Sequence, residues 1–313
     1  MGQKWAGTTY GSAWMHTWLI RLLRIIPLRV LYAFVLVFVV PVCLVVNPAT
    51  RIIYRYFRSQ WLYGPLRAVL MTWKNFYIFG QAVVDKFAMY AGRSFEVDVE
   101  GREWYERLVE QPEGFIILSA HVGNYEIAGY TLKNEKKRLN ALVFGGEKAS
   151  VMLNRTKMFA ETNIRMIPLM GDMSHIFEIN NALADGEIVS MPADRLLGSR
   201  KSYMLPFLRG TAQFPQGPFK LAASRHVNVL AMNVMKSSTM RYTIYVTPLV
   251  EPLPQSYVRE LERVVGMYPA QWYNYFEFWK GNEHDEKTSG TVAGMRGEEK
   301  EGERKGKKSI HVG

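Results

Sequence analysis

His121 and Glu126 lie five residues apart in the stretch GFIILSAHVGNYEIAGY, residues 114–130, and are the pair in this chain best suited to chemistry. A histidine takes and returns a proton near neutral pH, and a carboxylate that orients its ring completes a general base. His121 is therefore the expected base, with Glu126 expected to fix its tautomer and stabilise the imidazolium. Ser119, Ala120 and Gly123 are small enough to leave room for a substrate beside the ring, and Gly123 and Asn124 are expected to contact it. A histidine and a glutamate at this distance also arise by chance. What gives the pair weight is its position after a strand.

That strand is residues 115–118, a short apolar run of the kind buried in a parallel or mixed sheet. Gly123 and Asn124 open the helix that carries Glu126 in its first turn. In open α/β folds a strand tip, a loop and a helix start form the crevice where ligands bind. Downstream, strands are expected at 141–144, 165–169, 187–191, 203–208, 227–235 and 242–246, with helices at 149–161, 174–184, 216–224 and 255–267. A polar strand at 95–101 and a helix at 102–110 come before. The alternation predicts an α/β fold, a mixed sheet flanked by helices. Asp194 and Arg195 follow the 187–191 strand and form a second polar pair at a strand tip, for which a turn or a simple ion pair is the bland alternative.

The net charge of +11 invites a nucleic-acid reading, but its distribution argues otherwise. Residues 1–84 contain no Asp or Glu, and residues 1–74 carry nine Lys and Arg among Trp, Tyr, Phe and long aliphatics. Arginine beside aromatic and aliphatic side chains suits a surface for anionic lipid. No RNA-binding signature accompanies it, so nucleic acid is not an expected partner. Residues 30–46 form a run of seventeen without a charge. As a helix they reach roughly 25 Å, close to a bilayer's hydrocarbon thickness, and Pro41 should kink them. A membrane-spanning or embedded helix is the first expectation, with a buried core helix as the alternative. No cleavage site follows it, which disfavours a removed signal peptide. Residues 47–92 are basic and aromatic, with a break at Gly64-Pro65, and suggest amphipathic helices along the headgroup layer.

Several chemistries find no support. Cys43 is the single cysteine, and the six histidines show no metal-ligand spacing, so no metal is expected. No P-loop, G-x-G-x-x-G or G-x-S-x-G motif occurs, so neither a nucleotide cofactor nor a serine nucleophile is expected.

The segment His-Val-Gly-Asn-Tyr-Glu, 121–126, resembles the HxxxxD/E motif of glycerolipid acyltransferases, and more closely the H-x-G-N-W-E form in the late acyltransferases of lipid A biosynthesis. The order of later segments is similar too. Asp194 stands in the family's Asp-Gln, with Arg195 where Gln is usual; a Pro-Phe segment at 206–207, a Gly-Pro helix start at 217–218 and a closing Tyr-Pro-Ala-Gln-Trp at 268–272 follow. The resemblance implies a membrane-bound acyltransferase of the bacterial inner membrane with its site on the cytoplasmic side. It implies acyl carrier protein as donor, a hydroxyl of a lipid A precursor as acceptor, and Gly123, Asn124, Asp194 and Arg195 as substrate-binding residues. The family's further basic residue has four candidates here, Lys148, Arg155, Lys157 and Arg165. The Lys133, Lys136, Lys137, Arg138 cluster is a candidate docking patch for the acidic carrier, or simply a solvated helix end. Arg195 leaves room for another lipid acceptor: an aminoacyl lipid, a glycolipid or a polyene headgroup. A non-catalytic membrane scaffold is the alternative from another class. The expected domain map is a leader at 1–29, the membrane helix at 30–46, interfacial helices at 47–92, the catalytic domain at 93–281 and a disordered charged tail at 282–313.

Overall fold

The structure, a computed structural model, describes residues 21–132, 134–144, 163–169, 174–196 and 201–279. The helix expected at 149–161, the tail and most of the leader lie outside them. The strands are β1 (Glu96–Glu100), β2 (Phe115–Ser119), β3 (Leu139–Phe144), β4 (Ile164–Leu169), β5 (Ile188–Pro192), β6 (Ser202–Phe207), β7 (Gly210–Pro215), β8 (Val229–Lys236) and β9 (Arg241–Pro248). Seven of them form one sheet in the order β1-β9-β8-β2-β5-β3-β4, with β8 and β9 antiparallel and every other neighbouring pair parallel. The fold is the α/β sandwich that the alternation predicts.

Position in the sheet follows from side-chain pattern. β2 and β8 are apolar on both faces and run through the middle, where helices cover both sides. β1 reads EVDVE and alternates exposed with half-buried residues, as a strand at the sheet's margin should. The charges on its outer face meet Arg241 of β9.

The two faces of the sheet have separate cores. Ile116 and Leu118 of β2 face one layer, formed by α6 (Ser174–Ala184), α7 (Gly217–Arg225) and α8 (Leu253–Met267). Phe115 and Ile117 face α4 (Arg102–Glu110), whose Tyr105, Leu108 and Val109 are buried against them. Burying each such side chain stabilises the fold by roughly 1.5–3 kcal/mol. The β6–β7 hairpin stands apart from the sheet. Its Phe207 and Phe214 pack on Trp272, Phe278 and Trp279, which explains the aromatic closing segment of the sequence. β7 is not expected from the sequence, because GTAQFP lacks the β-branched run that marks a strand; pairing with β6 makes it one.

The N-terminal quarter forms α1 (Leu28–Val46), α2 (Ala49–Ser59) and α3 (Pro65–Tyr90). Pro41 is accommodated by a π-helical turn at Val35–Val39, which contains Val37, the residue whose carbonyl its ring would otherwise meet. Only 17% of the apolar window of α1 is buried, so it is not a core helix of this chain. Its inner face packs on α3, where Gly80 lets Val35 approach to a distance that any Cβ would block. α2 buries Ile53, Tyr56 and Phe57.

α3, one helix of 26 residues that ends before the boundary expected at 92/93, is bonded to elements beyond that boundary. Asn75 donates to the carbonyls of Ala270 and Trp272, both at 3.0 Å, and Asn124 donates to the carbonyl of Ala82. Asp85, fully buried, accepts hydrogen bonds from Tyr32 of α1, Tyr242 of β9 and Lys236 of β8. One carboxylate thus ties α1, α3 and the sheet together.

Candidate active site

The parallel pairing of β2 with β5 places Ser119 opposite Pro192. Each strand then continues for two residues, Ala120-His121 on one side and Ala193-Asp194 on the other, and the amide of Ala193 still bonds the carbonyl of Ser119 at 2.9 Å. The register therefore brings His121 beside Asp194, 73 positions away in the chain. The ring Nδ1–H donates to Asp194 Oδ1 at 2.7 Å, and the backbone N–H of His121 donates to Oδ2 at 2.9 Å. With Nδ1 engaged, Nε2 carries the lone pair.

Asp194 is completely buried. Burial pushes its carboxyl up, but His121, through charge and both hydrogen bonds, and the neighbouring Arg195 guanidinium outweigh this and hold it below its ordinary value of 3.8. It is an anion at neutral pH. The carboxylate that orients His121 is thus Asp194, and this corrects the expectation for Glu126. Glu126 starts the short helix α5 (Glu126–Thr131) and is held from α3, with Lys86 Nζ at 2.6 Å from Oε1 and Tyr90 Oη donating to Oε2 at 2.6 Å. The loop between His121 and Glu126 is fastened to other elements. Gly123 N–H donates to Gln271 O, Asn124 N–H to Val234 O, and Tyr273 N–H to His121 O. Gly123 has φ +53°, and a Cβ there would lie 1.8 Å from the Val234 carbonyl oxygen, so the loop passes against β8 only because residue 123 has no side chain.

A cavity of about 450 Å³ opens over this loop. His121, Lys86, Glu126 and Arg195 line its polar end, and Ile117, Leu132, Leu142, Met166 and Met232 are among its apolar walls. That size and lining fit a ligand with a long apolar part and one reacting polar group. Gly123 and Asn124 also border it, although their backbone amides and the Asn124 side chain are spent on structure. Arg195 donates from Nη2 to the carbonyl of Tyr273 at 2.6 Å and stands over the ring of Phe276. Burial draws its guanidinium below the ordinary value, opposed by Asp194.

Of the four candidate basic residues, Lys148, Arg155 and Lys157 lie outside the described residues, and Arg165 pairs with the exposed Glu178. Lys86 was not singled out from the sequence. It sits thirty-five positions before His121 on a helix assigned to the membrane-facing segment, and the only local signal is that Asp85-Lys86 interrupts an apolar helix with the first acid of the chain. Of the basic cluster, Lys137 is buried and caps the carbonyls of Pro112, Glu113 and Gly186, while Lys136 and Arg138 pair with Glu110 and Glu187. Among the described residues no group of His, Cys, Asp and Glu is placed to hold a metal ion.

The profile of bacterial lipid A biosynthesis acyltransferases matches residues 73–280. The chain belongs to this family. The match starts inside α3 and not after it, in line with the role of that helix in the lipid A acyltransferase body. A search of curated proteins finds no match. Solved structures similar to the chain include the 1-acyl-sn-glycerophosphate acyltransferase PlsC of Thermotoga maritima, at 14% identity and a TM-score of 0.37, covering 84% of this chain and 100% of that one. As a lipid A acyltransferase family member, the protein is an enzyme of acyl transfer to a lipid.

Proposed function

We propose that the protein moves a fatty acyl chain from an acyl carrier protein thioester to a hydroxyl of a lipid A precursor, with His121 as general base and Asp194 as its orienting partner. The observation that carries this is the His121–Asp194 pair at the polar end of an apolar-walled cavity. His121 Nε2 takes the proton of the acceptor hydroxyl while its oxygen attacks the thioester carbonyl. Asp194 stabilises the imidazolium so formed. The tetrahedral intermediate collapses, the C–S bond breaks, and the thiolate leaves with the proton that the imidazolium returns. The acyl chain lies along the apolar wall.

Membrane association is supported by an exposed apolar surface on α1 and the first half of α3, including Phe34, Phe38, Val42, Val45, Leu66 and Leu70. Arg51 and Arg58 stand beside it on α2, suited to anionic headgroups. With a carrier-protein thioester as donor, this reading has the site on the cytoplasmic side of the inner membrane. Arg195, which lines the cavity where the resembled motif has Gln, supports a second reading with the same chemistry and a different, anionic lipid acceptor.

Lipid mass spectrometry of a deletion strain tests both. Loss of one acyl chain from lipid A, restored by the wild-type gene and not by His121→Ala, is the expected result. Intact lipid A with another lipid under-acylated favours the second acceptor. Full restoration by His121→Ala overturns the catalytic reading altogether.

A further inference from the structure

We infer that Lys86 is the electrophilic group of this site, and that Glu126 and Tyr90 are positioning residues that act on Lys86 and not on His121. The inference rests on the acyl-transfer reading. When the hydroxyl oxygen bonds to the thioester carbon, the carbonyl π pair moves onto oxygen, and that oxyanion needs a positive partner in a place shielded from water.

Three backbone donors around His121 are already engaged. The N–H groups of His121, Gly123 and Asn124 donate to Asp194, Gln271 and Val234, respectively. A helix-start oxyanion hole is thereby closed off at three of the loop's donors. Lys86 lines the same cavity as His121, and its side chain is 21% exposed. Arg195 is a second cation lining the cavity, with Nη2 donating to the Tyr273 carbonyl.

Preorganisation is the second part of the argument. Glu126 is 5% exposed and holds Nζ at 2.6 Å, while Tyr90, one turn further along α3, fixes the other carboxylate oxygen. α3 is itself immobilised at the preceding residue, where Asp85 meets Lys236, Tyr32 and Tyr242. A cation held this way needs no reorganisation as charge develops.

The test uses the full-length protein in vesicles containing the lipid A precursor, with the lauroyl thioester of acyl carrier protein as donor. Lys86→Met is expected to lower kcat by about 10²–10³-fold with KM for both substrates within about threefold, the size seen for loss of one oxyanion donor. Lys86→Arg should recover at least about tenfold of that, because it restores the charge. Glu126→Gln should reduce kcat and leave the acidic limb of the kcat–pH profile in place. Lys86→Met leaves Glu126 buried without this partner and could unfold the chain, so the Lys86→Met/Glu126→Gln double variant is measured beside it; it removes both charges and should be folded and as slow as the single variant. Full kcat in Lys86→Met or in the double variant, or a loss confined to KM, overturns the proposal. So does a Glu126→Gln profile whose acidic limb moves, since Glu126 would then act on His121. An active Lys86→Met with an inactive His121→Ala rejects this inference alone, whereas an active His121→Ala rejects the function beneath it.

Discussion

Two buried carboxylates, Asp85 and Asp194, each meet a nitrogen donor from far along the chain, and they differ in what surrounds the pair. Asp85 is enclosed by Lys236, Tyr32 and Tyr242, and Lys236 also donates to the carbonyl of Thr239. Burial raises the Asp85 carboxyl and lowers the Lys236 ammonium, and each group opposes the shift of the other. Every direction around that pair is occupied by protein. Asp194 is equally buried, yet its partner His121 has one ring nitrogen engaged and borders a cavity. A closed polar network can only hold the fold together, while one left open on a single side can act on something that enters. Adjacent residues of α3 show the same contrast: Asp85 points into the sealed network and Lys86 into the cavity.

The contrast predicts separable effects. His121→Ala should lower turnover per folded molecule by about 10²–10⁴-fold, measured by lipid acylation beside a urea titration, which reads the separate cost of leaving buried Asp194 without its ring partner. Asp85→Ala should do the reverse. It strands a buried Lys236 and should cost about 3–5 kcal/mol of stability, while the protein that remains folded keeps its turnover per molecule. A folded, inactive Asp85→Ala would break the comparison.

A smaller effect concerns pH. The Asp194 carboxyl is held below its ordinary value of 3.8 in the folded chain, so it stabilises the fold above that pH, and the contribution is lost as pH falls through the folded value. The stability advantage of wild type over Asp194→Asn should therefore be full at pH 7 and fade in acid, each unit of depression being worth about 1.4 kcal/mol. Urea titrations of both proteins at pH 7 and pH 3 check this; an advantage that grows toward acid would contradict it. The smallest effect is expected at the exposed Lys136–Glu110 pair, where Lys136→Ala should change stability by at most about 1 kcal/mol. A larger loss of acyl transfer from carrier protein than from a small-molecule thioester in that variant would instead mark the pair as part of a donor-docking surface.

The extent to which the chain announced this arrangement differs from element to element. β2, α6, β8 and α8 lie within two residues of their expected positions, since runs of buried aliphatics and helical spacing are local properties. α3 was readable as a helix but not as part of the site, because its apolar and basic composition also suits a lipid surface, and only packing shows which face meets the sheet. His121 was readable because it follows a strand, and Asp194 because it follows another. Their pairing was not, although Ser119-Ala120-His121 and Pro192-Ala193-Asp194 carry the polar residue at the same offset past each strand tip. That offset is a usable signal only for a reader who already knows that the two strands are neighbours.

Sequence by itself determined the α/β class, the apolar N-terminal helix, the histidine and the family. These rest on periodicity, composition and motif order, which need no knowledge of what lies beside what. Tertiary structure decided which acid serves which base. Strand order and register are set by the whole sheet, and they put Asp194 against the ring of His121 and gave Glu126 to Lys86 and Tyr90 of a helix that precedes both.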